Sequence, residues 1–197
     1  MDTDAVDLDR RLGVRLKATR QRLNLTLDEL ATRSGVSRAM ISRVERGESS
    51  PTAALLDRLC AGLGIVLSAL FRDEHGAGPL VRRDEQQVWT DPASGYRRRT
   101  VSPAGTGSRL EIVEVEMPAG ARVLLEAQRA GFRLDQQFWL LEGELVIGLG
   151  EREHRLAAGD CLAMLLDGPI SFHNPGAEPA RYAVVLAAAD NWSGRLT

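Results

Sequence analysis

The chain has 197 residues, enough for one large domain or two small ones that each bury a modest core. With 44% hydrophobic and 26% charged residues it has the composition of an ordinary soluble protein, and no stretch approaches the roughly 18 uninterrupted apolar residues of a membrane helix. A net charge of −2 points to no partner by itself, but residues 10 to 46 hold ten basic against three acidic side chains, and that excess of seven favours a polyanion.

The first stretch, MDTDAVDLD, is acidic where a secretory leader is basic, so it reads as a disordered acidic tail over residues 1–9 of a cytoplasmic protein. From residue 10 to about 71 apolar residues return at helical spacing, as in Leu12, Leu16 and Leu23, then Leu27, Leu30 and Ala31, then Ile41 and Val44, then Leu55, Leu59 and Leu63. Each later run opens on a cap: Thr26 with Glu29 three residues on forms a capping box, Ser37 precedes RAMISRVERG, and Thr52 precedes AALLDRLCAGLG. Five short helices are expected, the last near LSALF, making a domain of residues 10–72. DEHGAGP, at 73–79, has no periodic apolar residue and reads as a linker.

Beyond it, over 80–197, the period changes to two. Strands are expected at 110–117, 122–127, 136–149, 154–156, 160–165, 170–174 and 181–186, separated by PAG, EG, AAGD, DGP and PGAEP turns. Arg97 to Arg99 read as an exposed strand face, or else as a contact to DNA or a second subunit. Short strands without intervening helices suggest an antiparallel sandwich or barrel. The fold class is α+β, as two domains. Cys60 and Cys161 have no C-x-x-C partner and are expected to be buried small apolar residues.

A helix-turn-helix needs a small residue where its helices cross and a glycine at the turn; Ala31 and Gly35 stand at those positions, with Ile41 and Val44 anchoring the second helix. The segment from about Gly13 to Phe71, including SGVSRAMISRVERGESSPT, resembles the phage-repressor-like (XRE) helix-turn-helix regulators. That resemblance implies double-stranded operator DNA as a partner and puts the family's base-facing positions on Arg38, Ala39, Ser42 and Arg43, with Ser37 and Arg46 in the same DNA-binding set. Arginine can donate two parallel hydrogen bonds to guanine, and an alanine methyl can meet a thymine methyl. Many such repressors carry a phosphate-touching glutamine where this chain has Leu27. Met40 and Glu45 read as packing and capping residues.

The strands of residues 107–190, with PAG, LLEGELVIGLG, HRLAAGDCLAML and NPGAEPARYAVV, resemble the cupin β-barrel (jelly-roll). In metal-binding cupins this resemblance implies a glutamate at the position of Gln136, histidines at Ala130 and Phe132 or at Arg129 and Gly131, and a third at Ile170. None of those residues is a metal-ligating imidazole. His173 lies three residues past Ile170, on the opposite strand face, and a lone imidazole is a poor metal site, so no metal or other cofactor is expected. Gln136, Phe138, Leu140, Ile170 and Phe172 should face inward and Trp139 outward. Either the inward set closes a solid core for dimerisation, or it lines a cavity for a small organic effector with Gln136, Phe138, Ile170, Phe172 and the arginines Arg122 or Arg129. No nucleophile motif stands out. The expected function is a homodimeric transcription regulator and not an enzyme; the rival is a cupin-type enzyme with an accessory DNA-binding domain, which would need the metal site.

Overall fold

The computed structural model describes residues 3–71, 78–125, 134–166 and 168–187. Five helices come first: α1 (Thr3–Arg22), α2 (Leu27–Ser34), α3 (Arg38–Glu45), α4 (Ala53–Leu63) and α5 (Leu67–Phe71). The disordered tail expected over residues 1–9 is corrected from Thr3 onward, because α1 starts there. Leu8 stands one turn before Leu12 and Leu16, all three are buried, and this continuous apolar stripe extends the helix toward its N-terminus.

The short helices begin and end where side chains replace missing backbone partners. The Thr26 hydroxyl accepts from the Glu29 N–H while the Glu29 carboxylate accepts from the Thr26 N–H, so the capping box is complete. Ser37 accepts from the Met40 N–H and Thr52 from the Leu55 N–H in the same manner. Between α1 and α3 the fit depends on the absence of a side chain. A Cβ on Gly13 would lie 2.2 Å from the Val44 carbonyl oxygen, so α1 rests directly on the end of α3.

Ten strands follow: β1 (Val88–Thr90), β2 (Arg97–Thr100), β3 (Leu110–Met117), β4 (Arg122–Leu125), β5 (Leu134–Glu142), β6 (Glu144–Leu149), β7 (Arg152–Ala157), β8 (Cys161–Leu166), β9 (Ile170–His173) and β10 (Ala180–Ala187). They form a six-stranded sheet ordered β1-β2-β3-β10-β5-β8 and a four-stranded sheet ordered β4-β9-β6-β7, with antiparallel pairing. The strands lie in two facing sheets, and among the described residues no ladder joins one to the other to close the expected barrel. Aromatic side chains fill the space between them: Phe138 of one sheet lies 5.5 Å from Phe172 of the other, and Phe172 stacks on Tyr182 at 6.2 Å. Gln136, Phe138, Leu140, Ile170 and Phe172 are all buried, and Trp139 is 51% exposed.

Two further expectations change. Arg98 is buried, not part of an exposed Arg97–Arg99 face, because the alternation of β2 turns it inward, where its guanidinium lies 4.5 Å from the centre of the Phe71 ring and pairs loosely with Glu111 at 3.5 Å. Cys60 is buried as expected, whereas Cys161 is exposed on the outer face of β8, directly across from Trp139.

The helical and sheet units share a core. Phe71 packs on Trp89 at 5.5 Å, and Trp89 meets Tyr96 edge-on at 5.7 Å. Asp91 reaches back across the boundary to accept a hydrogen bond from the Ala53 N–H at the start of α4, at 2.9 Å.

Candidate nucleic-acid interface and ligand cavity

α3 is held firmly from behind. Ile41 and Val44 are fully buried, and Glu45, at its end, accepts from Arg20 of α1 through Nε at 2.7 Å and Nη2 at 2.8 Å. Arg20 also donates to the Leu25 carbonyl, so one guanidinium ties α1, the following turn and α3 together. Sequence reading counted Arg20 within the basic footprint and Glu45 as a cap; each is a buried partner of the other. Since one charge of each sign leaves the surface, the excess of seven is unchanged.

The opposite face of α3 carries the residues singled out for DNA. Ser37, Arg38, Ala39, Arg43 and Arg46 are exposed and Ser42 is half-buried. Arg38 has only a loose contact to Asp28, at 3.6 Å between two well-exposed side chains. Arg46 lies against Glu48 through two 2.7 Å contacts and also donates to the Ser42 hydroxyl, so in the free protein these two residues hold each other. Leu27 packs against the helical core. Met40 is half-buried, in keeping with packing.

A cavity of about 110 Å3 lies between the sheets, below the helical unit. Gln136, Phe138, Ile170 and Phe172 line it. Arg122 is exposed on the edge strand β4, opposite His173, and does not line the cavity; Arg129 lies outside the described residues, as do Ala130, Gly131 and Phe132. His173 is on the strand face opposite Ile170 and Phe172, and burial together with Arg122 and Arg155 depresses its pKa. Among the described residues no three His, Cys, Asp or Glu side chains converge as a metal site. Neighbouring Asn174 is fully buried and structural, its amide donating to the carbonyls of Met117, Pro118 and Glu178.

Sequence reasoning missed the cavity's roof. Asp57 of α4, Val66 before α5, and Leu67 and Ser68 of α5 form part of its wall, opposite Tyr96, Arg98 and the sheet residues. Nothing in local periodicity pairs Ser68 with Gln136, which only tertiary packing brings to one space.

A capped helix pair presenting an arginine-bearing face, joined to a pair of facing antiparallel sheets, defines a DNA-binding transcriptional regulator of the helix-turn-helix type. The helix-turn-helix (HTH_3) family profile matches residues 16–70, and the chain belongs to that family. It is 40% identical over 82 residues to the HTH-type transcriptional regulator SutR of Escherichia coli K12, covering 42% of this chain but 46% of that protein, so it spans about half of that relative. It is 26% identical over 170 residues to the HTH-type transcriptional regulator PuuR of the same organism, covering 84% of this chain and 88% of that one. The crystal structure of an HTH_3 family transcriptional regulator from Vibrio cholerae superposes with a TM-score of 0.75 at 28% identity, over 95% of this chain and all of that one. No helix among the described residues is long and apolar enough to cross a membrane.

Proposed function

We propose that this protein is a homodimeric regulator that reads a two-fold-related operator with α3 and adjusts that binding to a small organic effector held between its sheets. The observation that carries the DNA-reading part is the outer face of α3. Arg38 and Arg43 project from a helix whose other face is locked by Ile41, Val44 and the Arg20–Glu45 pair. Arg38, Ala39, Ser42 and Arg43 meet base edges, while Ser37 and Arg46 contact the flanking backbone.

The outer face of the six-stranded sheet supports the dimer. Trp139 and Ile112 are exposed there, beside Ala183 and Val185 of β10, and a ladder of charges borders them, with Arg181 on Glu142 and Glu114 and Arg97 on Glu116. An apolar centre with a charged border suits a self-complementary interface. Two copies joined in this way present half-sites roughly 34 to 36 Å apart, about one turn of DNA.

The test is operator selection from genomic fragments, followed by titration of single variants. Arg38→Ala and Arg43→Ala each weaken binding to the selected operator by about 1 to 3 kcal/mol and relax the base preference at one position in each half-site. Unchanged affinity for both, or protection of one unrepeated site by a monomer, overturns the reading.

A further inference from the structure

We propose that the effector site is shared by the two domains, its roof being the DNA-binding unit itself, and that it takes a small uncharged molecule with a short apolar body and a carbonyl oxygen. The proposal rests on the effector-sensing reading above and specifies both its chemistry and its mode of action.

Chemical class follows from the polar groups left around an apolar space. The Ser68 hydroxyl, on the roof, is buried and has no hydrogen-bond partner among the described residues. The Gln136 side chain, on the floor, is 6% exposed and makes no hydrogen bond among the described residues. Arg98 has five N–H groups but, among the described residues, only two acceptors, Thr100 Oγ1 at 3.2 Å and Glu111 Oε1 at 3.5 Å. All three can donate, and buried donors without acceptors are unfavourable, so the molecule that belongs here brings an acceptor. Val113, Phe138, Ile170 and Phe172 supply the apolar wall for the rest of it.

Net charge is disfavoured. Arg98 already stands beside Glu111, and Asp57 contributes a carboxylate to the same wall. An added anion would face the Asp57 carboxylate and an arginine already paired with Glu111, while an added cation would crowd the guanidinium; either would lose its hydration for an imperfect partner. A carbonyl accepts from the hydroxyl, the amide or the guanidinium without that cost. Size is bounded too: an apolar cavity of about 150 Å3 holds a six-carbon ring, so 110 Å3 admits about four or five non-hydrogen atoms.

The roof gives the molecule its leverage. A Cβ on Gly62 of α4 would lie 2.9 Å from the Ser34 Cβ and 3.0 Å from the Leu30 Cδ1, so α4 is seated on α2 without slack and the two move together. Occupancy that favours one spacing between roof and floor therefore acts on the helix-turn-helix as a body. An effector works only through such a difference in affinity between two arrangements, and here the difference is built into its own binding site.

The experiment titrates the full chain with propanamide and with two ions of the same number of non-hydrogen atoms, propanoate and butylammonium, following backbone amide NMR shifts at Val66 and Ser68 on the roof and at Gln136 and Phe138 on the floor. Propanamide is expected to bind at least tenfold more tightly than either ion and to shift roof and floor together. Ser68→Ala removes a hydroxyl that pairs with nothing among the described residues, and it lowers propanamide affinity at least threefold; Gln136→Leu does the same. Equal binding of all three compounds, no binding of propanamide, or shifts confined to the floor overturns the proposal. An operator titration on the same sample separates the two readings: sequence-specific DNA binding without propanamide binding sinks the shared site alone, whereas loss of operator specificity in the wild-type protein sinks the regulator.

Discussion

Replacing Glu45 by alanine tests whether the recognition helix is positioned by the ion pair behind it. In the intact protein the Arg20 guanidinium makes two short charge-assisted hydrogen bonds to Glu45 and one to Leu25, with side chains only 11% and 5% exposed. Its hydrogen bond to Glu45 raises the arginine's already high pKa, so Arg20 remains charged at every accessible pH. Glu45→Ala therefore strands a charge beside the core with a single acceptor. Two bonds of this kind are worth about 1.5 to 3 kcal/mol each, and partial access of the guanidinium to water returns some of that, leaving a loss of about 3 to 4 kcal/mol, within the range for breaking a buried pair. For a chain of this length unfolding as one unit, the melting temperature falls by about 10 °C. Calorimetry of Glu45→Ala, Arg20→Met and the double variant measures it, and the double variant should recover part of the loss because no unpaired charge remains. A fall of less than about 2 °C would refute the reasoning, as would weaker operator binding by a Glu45→Ala protein of undiminished stability, which would make Glu45 a DNA contact.

Trp139→Glu places a charge at the centre of the proposed dimer face and is expected to raise the dissociation constant of the dimer at least about 30-fold, equivalent to about 2 kcal/mol, as read by sedimentation equilibrium. An unchanged dimer would move the interface elsewhere. Ile170→Ala enlarges the cavity and lowers stability by about 2 to 4 kcal/mol in urea unfolding, since Ile170 is 2% exposed; a cost near zero would mean that the site collapses onto the gap. For His173 the folded state disfavours the proton, through burial first and then Arg122 and Arg155. Its contribution is therefore fully present above the unfolded imidazole value near 6.5 and is lost as pH falls below that value and through the lower folded one; His173→Gln should show a shallower fall in urea midpoint between pH 7.5 and 5.5 than the wild type. Identical slopes would reject this assignment.

The parts of the fold that were legible in the sequence are those specified by neighbours in the chain. Thr26 with Glu29, Ser37 and Thr52 announce helix starts because their hydroxyls reach backbone groups three residues on. Alternation in QQFWLL and ISFH orients strands because successive side chains point to opposite faces, and it puts Gln136, Phe138, Ile170 and Phe172 inward and Trp139 outward. What stayed hidden depends on distant partners. Arg98 looks like surface in a run of three arginines, and becomes core only because Phe71 and Glu111 come to meet it. Arg20 and Glu45 are 25 residues apart with ordinary surface chemistry. Ser68 is a small polar residue in a five-residue helix, and its exposure to a cavity depends on how two units are docked. The helical start at Thr3 was missed because acidic residues mask the stripe that Leu8 continues.

Asp91 has a practical consequence for anyone dividing this protein. Its carboxylate caps the start of α4 from the far side of the 73–79 segment while its other oxygen closes the turn at Ser94, and the neighbouring Trp89 covers Phe71. A fragment ending near residue 75 would be a helix-turn-helix with an incomplete cap and an uncovered aromatic ring, inclined to aggregate; the complementary fragment would expose Trp89. The natural cut for expressing a well-behaved DNA-binding fragment therefore falls after the first hairpin, beyond Thr100, rather than in the glycine-rich segment where composition changes.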